Sequence, residues 1–247
     1  MGVGKLYKRL GKLLFFSIIC VFLIMKNIRG QQGNIKASAV YGKVMGATGV
    51  YDKIDGTQTD VIEKNSVVEI LKDRSERWYY VGYSNKKGWI RSYNLCIEPD
   101  PKTNACRLTA KEIENFSDTY FESTTDYCVW VDIDRQRVYV LKNNNGWCLE
   151  RNIICATGKN KTPTVRGFFK IGDRGKWFYS ERLNSGAKYW VRFNDSYLFH
   201  SVAMNKQGEI IDPVLGQRRS SGCVRMGVED AEWFYNNIPV DTTVFVF

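Results

Sequence analysis

The sequence predicts a mainly β protein: a small barrel, followed by a larger β-rich block with one or two helices. Three observations carry this expectation. Between residues 41 and 98, short runs of β-branched and aromatic residues alternate with turn-forming clusters. From residue 126 onward, apolar residues again recur at every second position. Helical spacing shows in only two places, one in a connector and one near the C-terminus.

Residues 1–30 read as a targeting segment, either a signal peptide or a membrane anchor. A basic stretch leads into an apolar run from Leu13 to Met25, and Lys26 stops it. That run is short for a membrane span and ordinary for a signal-peptide core. Ala37-Ser38-Ala39 fits a cleavage pattern but lies 12 residues past the run, so an uncleaved anchor stays open. In both cases the basic flank stays inside, this segment contacts the membrane, and the bulk of the chain is exported. Polar residues 31–40 read as a tether.

The region 41–98 reads as all-β. Val67-Val68-Glu69-Ile70-Leu71 and Trp78-Tyr79-Tyr80-Val81-Gly82-Tyr83 are strands. Ser84-Asn85-Lys86-Lys87-Gly88 is turn chemistry, and Trp89-Ile90 begins another strand. Several short strands in so little chain suggest a small barrel. Residues 99–125 read as a linker. Pro99 and Pro101 break the chain, and Ile113, Phe116 and Tyr120 give Lys111–Phe121 helical spacing.

The block 126–247 opens with Val129, Val131 and Ile133 alternating with polar or outward positions. Asp134-Arg135-Gln136 reads as a polar turn, and Val138 and Val140 resume the alternation. A helix is expected over Glu229–Asn237, with acids at its start and Pro239 beyond it. Thr242–Phe247 reads as a buried strand. The Gly, Lys and Arg content between Gly172 and Tyr189 would permit a lid.

Charge and composition narrow the function. The chain has 247 residues, 44% hydrophobic and 14% aromatic, which excludes wholesale disorder. Its net charge of +10 suggests a nucleic-acid partner at first. Lys5, Lys8, Arg9, Lys12, Lys26 and Arg29 supply +6 of it, leaving +4 over the other 217 residues. That suits a mildly anionic partner and does not require a phosphate backbone. Six cysteines lie beyond the targeting segment: Cys96, Cys106, Cys128, Cys148, Cys155 and Cys223. An even count in an exported chain is compatible with three disulfides, and the pairing stays open. No C-x-x-C pair and a single histidine argue against a structural metal site, so no metal and no cofactor are expected.

The sharpest local feature is Arg218-Arg219-Ser220-Ser221-Gly222-Cys223-Val224-Arg225-Met226. A cysteine attacks as thiolate, and three nearby arginines would depress its pKa. Gly222 lets the backbone come close to a substrate. Peptide N–H groups of Gly222 and Cys223 could stabilise an oxyanion. His200, the one histidine, follows Tyr197-Leu198-Phe199 and precedes Ser201. If a Cys/His pair exists, His200 must supply the base.

Twenty-one residues separate His200-Ser201 from Cys223 in Ser220-Ser221-Gly222-Cys223-Val224-Arg225-Met226, and the pattern resembles the L,D-transpeptidase (YkuD-like) catalytic domain. Thr162-Pro163-Thr164-Val165-Arg166-Gly167-Phe168-Phe169-Lys170-Ile171 resembles that family's T-P-x-G-x-F-x-I segment, with Val165-Arg166 spacing it differently. Asp212 to Gly216, Asp230-Ala231, Tyr235, Pro239 and Thr242 to Val244 also agree. The family commonly has a second histidine where this chain has Ser221. Gly49-Val50-Tyr51, Trp78-Tyr79-Tyr80-Val81 and Gly88-Trp89-Ile90 resemble a bacterial SH3-like domain, which implies wall binding or substrate presentation.

The resemblance implies a cysteine acyltransferase acting on peptidoglycan stem peptides, in or near the cell wall and without nucleic acid. Cys223 would be the nucleophile, His200 the base, and Ser201 its orienter through backbone or side chain. Gly222 and Ser221 would lie at the oxyanion or substrate, and Arg225 would shape the loop, meet a substrate carboxylate, or form a structural ion pair. An acceptor amine would give a crosslink, and water would make the enzyme an L,D-carboxypeptidase. A wall-binding protein without catalysis is the remaining alternative.

Overall fold

The structure is a computed structural model and describes residues 35–247; the segment read as a signal or anchor lies outside the described residues. Among the described residues no helix is long and apolar enough to cross a membrane.

The N-terminal part is one seven-stranded sheet: β1 (Val40–Val44), β2 (Thr48–Tyr51), β3 (Gln58–Ile62), β4 (Val67–Arg74), β5 (Trp78–Tyr83), β6 (Lys86–Arg91) and β7 (Leu95–Ile97). The strand order is β3-β2-β6-β5-β4-β1-β7, and every pairing is antiparallel. Residues 40–44 alternate buried and exposed, as a strand wetted on one face must. Val40, Val44, Val50, Val68, Ile70, Val81 and Ile90 share a core of their own. The expected turn over Ser84–Gly88 is shorter than the sequence suggests. Ser84 and Asn85 both take positive φ, 41° and 62°, and strand pairing resumes at Lys86. Two left-handed residues match the twist of a tight hairpin, so the following lysines and Gly88 are strand.

The linker region holds α1 (Ala110–Tyr120), close to the expected helix. A capping box starts it: Thr109 Oγ1 accepts from Glu112 N–H, and Glu112 Oε2 accepts from Thr109 N–H. Phe116 stacks on Trp130 with ring centroids 4.5 Å apart.

The second sheet has eleven strands: β8 (Tyr127–Asp132), β9 (Arg137–Asn143), β10 (Trp147–Ala156), β11 (Gly167–Lys170), β12 (Arg174–Ser180), β13 (Ser185–Asn194), β14 (Tyr197–Ser201), β15 (Ala203–Met204), β16 (Ile210–Asp212), β17 (Val224–Met226) and β18 (Thr243–Val246). One helix, α2 (Val228–Asn237), packs against β13 and β14. The fold is thus mainly β with two helices, as the sequence predicts. The alternation expected along β8 is absent: Cys128, Val129, Trp130 and Val131 are all fully buried. Phe116 and Phe121 cover the second face, so β8 is buried on both sides. β18 is the expected buried strand and runs parallel to β8.

Among the described residues all six cysteines are free. Cys128 and Cys155 are buried, and burial raises both thiol pKa values.

Candidate active site

The site is built on one parallel strand pair. β14 and β17 pair in the register Phe199↔Val224, His200↔Arg225, Ser201↔Met226. Phe199 and Val224 turn into the core and are fully buried. Cys223 stands just ahead of Val224, so the predicted base and nucleophile arrive on neighbouring strands. Arg225, opposite His200 in that register, acts to lower the pKa of both the Cys223 thiol and the His200 imidazole.

The imidazole tautomer follows from its contact. His200 Nδ1 lies 2.6 Å from the carbonyl oxygen of Ser201. A carbonyl only accepts, so Nδ1 carries the proton and Nε2 presents its lone pair. Ser201 therefore orients the ring through its backbone and not through its side chain. Its hydroxyl is used elsewhere, donating to Val202 O at 3.0 Å and accepting from Lys188 N–H at 2.9 Å. The ring of Phe178, on β12, meets the imidazole edge-on at 5.4 Å. The segment expected to permit a lid is thus the hairpin of β12 and β13, which packs over His200. Burial lowers the His200 pKa to about 4; the Ser201 carbonyl opposes this and Arg225 adds to it.

The thiol departs from expectation. Burial raises the Cys223 pKa, while the Leu198 N–H, Arg225 and Arg192 pull the other way and lose. The arginines beside it in sequence are already engaged. Arg218 donates to Asn160 Oδ1 at 2.6 Å, and Arg219 Nε lies 2.7 Å from both carboxylate oxygens of Asp212. Arg225 pairs with the same carboxylate at 2.9 Å, so the ion-pair alternative for Arg225 is the one found. Burial works against the Asp212 carboxylate, but the two arginines hold its pKa below the ordinary value. The resting site therefore holds a neutral thiol and a neutral imidazole. The thiol donates toward Ser196 O at 3.7 Å.

The loop before Cys223 is tied from below. Gly222 has φ +110°, and a Cβ there would lie 2.8 Å from Tyr197 Cε1, so this position admits only glycine. The Gly222 N–H donates to Ser220 Oγ at 3.1 Å. It is not free for an oxyanion, which corrects half of the donor pair expected there. Ser221 is exposed. Thr164 Oγ1 donates to Gly222 O at 2.7 Å, and Thr162 Oγ1 donates to Ser220 O at 3.0 Å. The threonines of Thr162-Pro163-Thr164 thus clamp the nucleophile loop. Sequence reasoning found this segment only as a motif. Gln136, in the polar turn the sequence predicts, is buried; its amide donates to Thr157 Oγ1 and accepts from Thr157 N–H, and Thr157 O in turn receives the N–H groups of Arg219 and Ser220. Among the described residues no group of three His, Cys, Asp or Glu side chains could hold a metal.

Residues 126–246 match the family model described as YkuD, L,D-transpeptidase catalytic domain. The chain is 35% identical over 129 residues to YciB of Bacillus subtilis (strain 168), a protein whose name provisionally labels it an L,D-transpeptidase. That match covers 48% of this chain and 65% of YciB. Similar solved structures include a fused Zn-dependent amidase/peptidase/peptidoglycan-binding domain-containing protein from Clostridium acetobutylicum, with TM-score 0.48, 28% identity, and coverage of 56% of this chain and 59% of that one. Another is an L,D-transpeptidase from Stackebrandtia nassauensis, with TM-score 0.43, 25% identity, and coverage of 53% and 59%. The segment matched by the family model carries both His200 and Cys223. Over residues 126–246 the chain is thus similar to the L,D-transpeptidase catalytic domain of the YkuD type.

Proposed function

We propose that this protein is an exported peptidoglycan L,D-transpeptidase working through a thioester on Cys223. The observation that carries the reading is the tautomer of His200. Its Nδ1–H is fixed on the Ser201 carbonyl, and Nε2 is left as a base beside the strand that presents Cys223.

The chemistry follows from two neutral partners. As Sγ attacks the carbonyl of an L-to-D peptide bond, the thiol proton passes to His200 Nε2. The C–N bond of the tetrahedral adduct then breaks, and His200 returns that proton to the departing amine of the D-amino acid. An acyl thioester remains on Cys223. An amine of a neighbouring stem adds to the thioester, gives its proton to His200, and expels Cys223 as thiol. The Cys223 N–H is the remaining candidate oxyanion donor, because Gly222 N–H is taken. Asp212 holds Arg225 and Arg219 in place around the loop, so Arg225 acts as a structural cation here.

The domain reading is a targeting segment over 1–30, an SH3-like domain over 41–98, a linker over 99–125 and the catalytic domain over 126–247. A seven-stranded antiparallel sheet with its own core supports the SH3-like assignment, and with it wall binding. The partners are peptidoglycan stem peptides and the wall itself.

The test is to incubate the protein with a disaccharide-tetrapeptide and weigh it intact, beside Cys223→Ala and His200→Ala. A mass gain equal to the stem minus its terminal D-amino acid, absent in Cys223→Ala, supports the thioester. Dimeric muropeptides support transpeptidation, and trimmed monomers alone would instead make it an L,D-carboxypeptidase. No adduct on folded, reduced protein would leave the wall-binding reading.

A further inference from the structure

We propose that Lys72, from the N-terminal sheet, is a positioning residue for Cys223, acting through the turn between β13 and β14. The inference rests on the reading of Cys223 as the nucleophile. Only Asp195 and Ser196 separate those strands. Asp195 holds a left-handed φ of 38°, a conformation that costs free energy unless its surroundings enforce it. The next residue, Ser196, supplies the carbonyl that the thiol addresses at 3.7 Å. The turn is therefore both strained and in direct contact with sulfur.

Lys72 is what the N-terminal sheet contributes to it. Its ammonium meets the Asp195 carboxylate at 2.6 Å and lies 5.9 Å from the centroid of the Tyr197 ring. Tyr197 in turn fills the space where a Cβ on Gly222 would sit. One side chain thus touches both residues flanking Ser196, and one of those touches the residue before Cys223. Arg192 completes the turn from inside the catalytic sheet, with its guanidinium on Asp195 O and its Nε on Asp173 at 2.6 Å. Asp73 and Arg74 follow Lys72 on the same strand; Arg74 favours the charged Asp195, while Asp73 opposes ionisation of Tyr197.

Energetics separates this role from simple stability. The Lys72 side chain is 27% exposed and Asp195 is 65% exposed. An ion pair so wet adds at most about 1 kcal/mol to folding. Its removal leaves the fold standing, so any effect on sulfur is read in a folded protein.

The experiment uses the full chain with Lys72→Ala, Lys72→Arg and a control, Lys86→Ala. The control breaks the Lys86–Asp60 pair in the same sheet. Iodoacetamide alkylation is followed against pH by peptide mass spectrometry. The exposed Cys96, Cys106 and Cys148 serve as internal references. Losing the cation beside Asp195 disfavours the thiolate. Lys72→Ala is expected to slow alkylation of Cys223 about threefold at neutral pH and move its pH midpoint upward, leaving the references unchanged. For acyl transfer, kcat is expected to fall by about tenfold with KM nearly constant, the mark of a lost transition-state geometry. Lys72→Arg should restore both and Lys86→Ala should change neither. Unaltered Cys223 alkylation in Lys72→Ala, no rescue by Lys72→Arg, or an equal effect in Lys86→Ala would each overturn the proposal. If the parent chain makes no acyl-enzyme but Cys223 alkylation still responds to Lys72, the proposed function fails and the positioning role stands.

Discussion

Cys223 and His200, on neighbouring strand segments, are both uncharged at rest. That makes His200 a base during the reaction and not the partner of a standing thiolate. It also gives stability a defined pH dependence. Above pH 6.5 the histidine is neutral in both folded and unfolded chains. As pH falls from 6.5 toward about 4, the unfolded chain binds a proton that the folded one refuses. Folding stability is therefore lost across that window, by about 3 kcal/mol from this residue. His200→Gln keeps a donor for the Ser201 carbonyl and cannot titrate. Its melting temperature should fall less steeply than the parent's between pH 6.5 and 4, measured by circular dichroism; parallel curves would refute the assignment. Gly222→Ala forces a Cβ into a positive-φ position against Tyr197. It should cost more than about 1 kcal/mol in urea unfolding and abolish the acyl-enzyme. Both candidate residues stand out in the sequence because the chain has one histidine and one cysteine in a Ser-Gly-Cys loop. The arginines were misleading. Sequence proximity suggested that they bathe the thiol, but Asn160, distant in sequence, takes Arg218, and Asp212, seven residues away, takes Arg219.

Short segments fix the loop that those residues need. Thr164 Oγ1 accepts from Gly158 N–H at 2.9 Å and donates to Gly222 O at 2.7 Å, so it bridges two loops through one hydroxyl. Thr164→Val keeps the shape and strands a buried N–H and a buried carbonyl. It should cost about 2 kcal/mol or more in chemical denaturation and slow acylation of Cys223. Thr162→Val removes one of two donors from the Ser220 carbonyl, which still accepts from Lys159 N–H, and should cost less by the same assay. An equal loss in both variants would mean that the bridge to Gly158 contributes nothing. One helix was readable from the spacing of Ile113, Phe116 and Tyr120, and the other from its leading acids and Pro239; the capping box of Thr109 and Glu112 emerged only in the structure. The burial of β8 was not readable. Its second face is covered by Phe116 and Phe121, and that covering is a tertiary fact with no local signature. The turn at Asp134-Arg135-Gln136 is where the sequence places it, but the burial of Gln136 was illegible for a related reason. A polar residue in a turn looks solvated until the turn is folded beneath another loop.

At the scale of the molecule, the N-terminal sheet is joined to the loops of the site by several contacts. Tyr79 donates to Lys161 O at 3.0 Å, and Asn160 donates to Glu98 O and Pro99 O. Arg166, with a side chain 11% exposed, pairs with Glu69 on β4. Glu69→Ala leaves that guanidinium buried without its partner, and should lower stability by about 1–3 kcal/mol. Thermal or urea unfolding followed at Trp residues of both sheets would show it as one shifted transition. Two separate transitions in the parent would show that the sheets unfold independently. None of these contacts was legible in advance, because a linker conceals which surfaces it brings together. The parallel register of β14 and β17 has a consequence for endurance. The backbones that carry base and nucleophile are neighbours in a hydrogen-bonded ladder, about 4.8 Å apart. Such a spacing does not drift with warming; it persists until the ladder itself opens. Heat should therefore not switch the enzyme off by degrees. Activity and sheet signal should vanish together, over the same few degrees, and cooling a briefly heated sample should return both or neither.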